Sequence, residues 1–269
     1  MAINITGKIT LSETGLPIEE GFRDGDGNPA DGTEAFFGIV HINEDKAWTP
    51  LGTGFFISNN GLFATAKHVL LDRNGNRLTS LAGLHLSRQI GKVVIRKAIK
   101  FACHPSADVA VGFLADEQYQ MHGKQTVNKC FSLTRRHPKV GDKVVSIAYP
   151  NGVVDSNERG FSVKISTTVT EGQLEEYYPA GRDRVLLPGP CFRTSMPIQF
   201  GASGGPVAFG NGSVFAINST GWDGTDIGFL SPIQSLFELS VENVRLFDEP
   251  IRESISLEEL AALGLIRVV

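Results

Sequence analysis

Phe200-Gly201-Ala202-Ser203-Gly204-Gly205-Pro206 is the stretch on which the reading of this chain turns. A serine set among three glycines and closed by a proline is unsuited to the interior of a helix or strand. Glycine costs backbone entropy there, and proline removes a hydrogen-bond donor. Two readings fit. One is a glycine-rich turn between strands. In the other, the glycines let the backbone turn sharply, lift Ser203 Oγ clear and aim free N–H groups at a developing oxyanion. Gly201-Ala202-Ser203-Gly204-Gly205 also satisfies the G-x-S-x-G nucleophile elbow, but there the histidine follows the serine, and the last histidine of this chain is His137. A catalytic base must therefore come from upstream, in a His-Asp-Ser or Asp-His-Ser order.

Composition bounds the setting. At 269 residues the chain is long enough for one large or two small domains, and 41% apolar residues with 30 glycines in many short alternating runs suit a β-rich core. A net charge of -4 with no basic block argues against a nucleic-acid partner. No apolar run approaches the roughly 18 residues that would span a bilayer, and the first eight residues lack the pattern of a signal peptide. Cys103, Cys130 and Cys191 are odd in number and scattered, so neither a zinc site nor a disulfide framework is expected. Asn4-Ile5-Thr6, Asn211-Gly212-Ser213 and Asn218-Ser219-Thr220 match the short and common glycosylation pattern. The expectation is a reducing, cytoplasmic location with no metal and no cofactor. Asp24 to Pro29 begins like a calcium loop, but Pro29 stands where the central glycine is needed and Ala35 where the bidentate glutamate is needed, so a solvated turn is expected.

From Ala35 onward the chain reads as strands and turns. Ala35–Ile42 and Gly52–Ser58 are strands; Asn59-Asn60-Gly61 makes a hairpin turn into Leu62–Ala66. The last of these runs into Lys67-His68-Val69-Leu70, which places a histidine at a strand's lip. Lys92–Ile99 is another strand, leading to His104, read as structural, and to Asp108 at the head of an apolar run. A carboxylate there is costly to bury alone, and a histidine N–H is the obvious partner. Asp116 to Lys129 is polar and reads as a linker. Strands are then expected over Asp142–Tyr149, Phe161–Thr167, Val207–Phe209, Ser213–Ser219 and Ile227–Ile233. Ser256 and Glu259 form a capping box for one short helix, with Gly264 as its stop, and Leu265–Val269 reads as a strand-forming tail that packs on its own barrel.

Together these pieces resemble the trypsin/chymotrypsin-fold serine proteases, most closely the disulfide-free bacterial HtrA-type branch, over roughly residues 35–235. Gly52–Ser58 with Thr65-Ala66-Lys67-His68-Val69 resembles the family's strand pair ending in the base, and Ala107-Asp108-Val109-Ala110-Val111 its acid motif. Val140 to Gly152 resembles the opening hairpin of the second barrel, Thr194 to Pro206 the nucleophile loop, and Ile227–Ile233 the closing strand. The resemblance implies an all-β fold of two six-stranded antiparallel β-barrels with a short C-terminal helix. Residues 1–34 would form an N-terminal extension, 35–125 the first barrel, 126–240 the second, and 241–269 a helical segment and tail. It further implies a serine endopeptidase acting on protein or peptide substrates, with His68 as general base, Asp108 as its orienter and Ser203 as nucleophile. The N–H groups of Gly201 and Ser203 would form the oxyanion hole. Pro197 and Ile198 would form the base of the specificity pocket, and Ser219, Thr220 and Gly221 its wall; with no carboxylate at that base, small to medium apolar residues are expected before the cleaved bond. Asp223 and Asp226 are the residues that could reverse that preference. The departures are Val69 and Ala202, where secreted members carry a cysteine and an aspartate, and a C-terminus too early for a PDZ domain. A regulatory protein partner is expected for a cytoplasmic protease; a catalytically silent binding module of the same fold is the alternative.

Overall fold

The structure, a computed structural model, describes residues 22–23, 32–44, 47–87, 92–115, 127–150, 152–157, 160–164, 166–185, 187–222, 224–244 and 251–269. The loop at 24–29, most of the polar span 116–129 and Asp223 lie outside the described residues.

Twelve strands close into two antiparallel barrels. The first contains β1 (Phe36–Ile42), β2 (Trp48–Phe56), β3 (Leu62–Thr65), β4 (Leu81–Ser87), β5 (Lys92–Cys103) and β6 (Ala110–Leu114), in the order β1-β2-β3-β6-β5-β4. The second contains β7 (Lys143–Ala148), β8 (Thr168–Tyr178), β9 (Cys191–Thr194), β10 (Pro206–Ala208), β11 (Val214–Gly221) and β12 (Gly228–Pro232), in the order β8-β9-β12-β11-β10-β7. A helix α1 (Leu257–Ala262) follows near the C-terminus, capped where Ser256 Oγ accepts from Glu259 N.

Aromatic side chains fill the first barrel. Phe36, Phe37, Phe55, Phe56 and Phe63 are all at most 1% exposed, and Phe37 meets both Phe56 and Phe63 ring to ring. Each such ring removed from water contributes about 1.5–3 kcal/mol. The second barrel has its own core of Val144, Leu174, Phe192, Val207, Phe215 and Leu230. Closure removes the open sheet edges of both.

The structure adds to the sequence reading at four strands. A strand was expected over Phe161–Thr167, and Gly160–Lys164 is one, paired with Val153–Asn157 in a hairpin outside the two barrels. The places beside β7 are taken by Thr168–Gln173 on one edge and Val207–Ala208 on the other, so no ladder is left for it. The strands Leu81–Ser87, Thr168–Tyr178 and Cys191–Thr194 were not expected, and each is needed for closure. The tail does pack on its own chain: Leu133 N donates to Arg267 O (2.9 Å) and Val269 N to Leu133 O (2.8 Å), with Ile266 buried.

Strand register positions the site. Thr65 pairs with Ala110, so His68, three residues beyond, and Asp108, two residues before, emerge at the same rim of the first barrel. Pro206 pairs with Ile217, so Ser203 and Ser219 share one rim of the second. The rims touch where Thr53 N of β2 donates to Ser203 O at 2.8 Å.

Candidate active site

His68 lies in the single 3-10 turn Lys67–Leu70 that follows β3. Its backbone N–H donates to Asp108 Oδ1 (3.0 Å), and its Nδ1 lies 2.8 Å from Asp108 Oδ2. A carboxylate only accepts, so the ring proton is on Nδ1, and Nε2 keeps its lone pair for a proton from elsewhere. The ring is 49% exposed, whereas the Asp108 side chain is 8% exposed. Desolvation acts against a charged His68, but the charge of Asp108 and its hydrogen bond outweigh that and raise the histidine above its ordinary value. Burial likewise pushes Asp108 up, yet His68, Ser219 Oγ and the His68 backbone N–H together hold it below the ordinary carboxylate range.

The donor from Ser219 depends on a strand irregularity. Asn218 pairs with Leu230 and Thr220 with Phe229, so Ser219 is the extra residue of a β-bulge in β11. A bulge redirects a side chain locally, and here it turns the buried Ser219 hydroxyl onto Asp108.

Ser203 Oγ donates to Ser219 O at 2.9 Å, not to His68. The loop around it is held on several sides. Ala202 N donates to Gln199 O (3.0 Å), closing a turn whose third residue, Gly201, has φ +86, the type II signature that calls for glycine. Gly204 is still more constrained: φ is +87, and a Cβ there would lie 2.1 Å from Thr53 O and Thr65 Oγ1. Among the described residues, the N–H groups of Gly201 and Ser203 meet no protein acceptor, which leaves two donors beside the hydroxyl. Asn218, buried in β11, donates from its side chain to Ala202 O (3.2 Å) and to Ser146 Oγ, tying the loop to β7.

Thr53 was read only as a strand residue, yet it is fully buried at the junction of the barrels. Its hydroxyl donates to Gly201 O (2.9 Å) and accepts from Tyr149 N (3.0 Å), while its N–H holds Ser203 O. The available signal was a hydroxyl residue between two glycines in Gly52-Thr53-Gly54, more polar than a buried strand requires.

Of the residues expected to line a specificity pocket, Ile198 and Gly221 come together. Ile198 is buried, and its side chain lies against both flanking glycines. A Cβ on Gly221 would lie 3.0 Å from Ile198 Cβ, and one on Gly228 would lie 2.8 Å from Ile198 Cδ1 and Cγ1. Pro197 and Thr220 are partly exposed, and Asp226 is exposed. Phe200, 63% exposed, precedes Gly201, and Trp222, 53% exposed, follows Gly221 with the Arg182 guanidinium over its ring at 5.6 Å.

A family model described as trypsin-like peptidase domain matches residues 52–217, more than half of the chain. No curated protein sequence matches it. Among solved structures, the Rv3671c protease in its inactive form is similar with a TM-score of 0.50 and 19% identity, over 76% of this chain and 85% of that one. The Ser343Ala mutant of Rv3671c from M. tuberculosis H37Rv, also inactive, gives a TM-score of 0.50 and 19% identity over 76% and 83%. The HtrA-type protease AlgW with a tripeptide gives a TM-score of 0.52 and 22% identity over 75% of this chain and 57% of that one. These likenesses concern the fold.

Proposed function

The chain belongs to the trypsin-like peptidase domain family and is a serine protease, and we propose that it cleaves proteins through an acyl-enzyme formed on Ser203. The observation that carries this reading is the 2.8 Å contact between His68 Nδ1 and Asp108 Oδ2, which leaves His68 Nε2 as an acceptor beside the rim that bears Ser203. In this mechanism Ser203 Oγ rotates away from Ser219 O, gives its proton to His68 Nε2 and attacks the substrate carbonyl carbon. The negative charge that develops on the carbonyl oxygen is met by the N–H groups of Gly201 and Ser203. His68 then protonates the leaving amine, and a water activated in the same way hydrolyses the ester. Ser219 O, the resting acceptor of the nucleophile, is freed as the hydroxyl rotates and can take a substrate N–H.

Specificity follows from Ile198. Its side chain takes the space between Gly221 and Gly228, and neither Ile198 nor Pro197 beside it brings a charge to the base. A lysine or arginine would lose hydration there without a counter-charge. Small to medium apolar residues fit, with Ala and Val ahead of Leu and Met. A reducing compartment as the working environment is in keeping with three cysteines that are odd in number and scattered along the sequence. The test is hydrolysis of an unfolded protein and of peptide libraries by wild type and Ser203→Ala. Turnover is expected to fall by a factor on the order of 10⁴ or more in the variant, with its fold intact. Wild-type-like cleavage by Ser203→Ala would end this reading.

A further inference from the structure

His104 lies four residues before Asp108 and is 6% exposed. Its Nδ1 accepts two backbone N–H groups of the loop that follows, Ala107 N at 2.7 Å and Ser106 N at 3.2 Å. A nitrogen that accepts two amides carries no proton, so the ring proton is on Nε2, which lies 3.1 Å from Glu238 Oε2. Glu238 closes the 3-10 turn Ile233–Glu238 that follows β12, so it reaches the acid loop of the first barrel from the far end of the second. The same loop is closed by His104 N to Val109 O (3.0 Å) and held outside by Lys67 Nζ, which donates to the carbonyls of His104 (3.0 Å) and Pro105 (3.3 Å). The titratable groups around it are Lys67, His68, Cys103, Asp108 and Glu238.

We propose that His104 is a positioning residue for Asp108: its imidazole serves as a two-amide acceptor that fixes the 104–108 loop, and Glu238 holds the ring in the tautomer this requires. The inference rests on the triad reading above. It separates His104 from an ordinary core histidine, because the ring's bonds are spent on the backbone that aims the acid rather than on filling space. Without that acceptor the loop loosens, Asp108 pairs less well with His68, and His68 loses part of what raises it.

The experiment measures hydrolysis of a fluorogenic peptide with valine before the cleaved bond, as a function of pH, for wild type, His104→Ala, His104→Asn, Glu238→Ala and Asp108→Asn, with melting temperatures alongside. His104→Ala is expected to lose roughly 10- to 100-fold in kcat with little change in KM, the range that a misplaced catalytic group produces. Its alkaline rise in activity is expected to move to lower pH. His104→Asn, whose side-chain oxygen can accept the same two amides in an Asx-type turn, is expected to restore both. Glu238→Ala is expected to shift both in the same direction by less. A folded His104→Ala with wild-type kcat and pH profile would overturn the inference, as would a loss that tracks melting temperature while the pH profile stays fixed. If His104→Ala does not fold, a folded His104→Asn with lost activity, or a Glu238→Ala with an unmoved profile, would overturn it. Full activity of Asp108→Asn would instead remove the triad reading beneath it.

Discussion

At the residue scale, the proposed mechanism makes the pH behaviour depend on His68 and Asp108. Because His68 is raised and must be neutral to take a proton, activity is expected to rise with pH along a limb above the ordinary histidine value of about 6.5. Asp108→Asn removes the charge that raises it, so the limb should move down while kcat drops by a factor on the order of 10⁴. A pH–rate profile of both proteins checks this. For stability the two signs oppose. The depressed Asp108 stabilises the fold above the ordinary carboxylate range, and that contribution is lost as pH falls through its folded value. The raised His68 stabilises below the ordinary histidine value, and that contribution is lost as pH rises through its folded value. Thr53 offers a second test at this scale. Thr53→Val keeps the shape but leaves Gly201 O and Tyr149 N without their hydroxyl partner, which costs about 1–3 kcal/mol for a buried group left unsatisfied. Thr53→Ser should keep activity where Thr53→Val loses it; equal kcat for the two would show that the hydroxyl does not hold the oxyanion loop.

Among the elements, the segment before the nucleophile and the tail each make a separable prediction. Ile198→Ala opens the space between Gly221 and Gly228, so preference before the cleaved bond should move from Ala and Val towards Leu, Met and Phe. The shift should be about 1–3 kcal/mol per methylene accommodated, read as a ratio of kcat/KM values on matched peptides. An unchanged profile would mean that Ile198 does not floor the pocket. Truncation after Gly264 removes the buried Ile266 and both bonds to Leu133, and is expected to lower the melting temperature by about 5 °C or more, since a buried isoleucine alone contributes about 1.5–3 kcal/mol. The element scale is also where the sequence was least legible. Thr168–Tyr178 reads Thr-Val-Thr-Glu-Gly-Gln-Leu-Glu-Glu-Tyr-Tyr, and only Leu174 of these residues is buried, so no apolar alternation marks it. Its strand state comes from pairing with β7 and β9, which is a tertiary effect. Phe161–Thr167 shows a real alternation and Gly160–Lys164 is a strand, but it pairs with Val153–Asn157 because the edges beside β7 are already occupied.

At the scale of the whole molecule, the proposed mechanism depends on two barrels meeting rim to rim. Local sequence marks each rim well: a histidine after a buried strand, an acid before one, a serine among glycines. What joins them is not local. Ser219 reaches Asp108 only through the bulge in β11, Thr53 reaches the oxyanion loop only across the barrel junction, and Glu238 reaches His104 from 134 positions away. Ala202 shows the same division. The sequence shows that the aspartate of secreted relatives is missing; the structure shows Asn218 and Ser146 tying that loop to β7 instead. These bonds hold the loop without a charge at position 202, and under the proposed mechanism the protein should carry an activated serine. The direct measurement is the rate and site of labelling by a fluorophosphonate, followed by mass spectrometry of the purified protein between about pH 6 and 8. The expected result is rapid modification of Ser203 alone, rising with pH along the His68 limb and lost in Asp108→Asn. Slow, pH-independent labelling spread over several serines would contradict it.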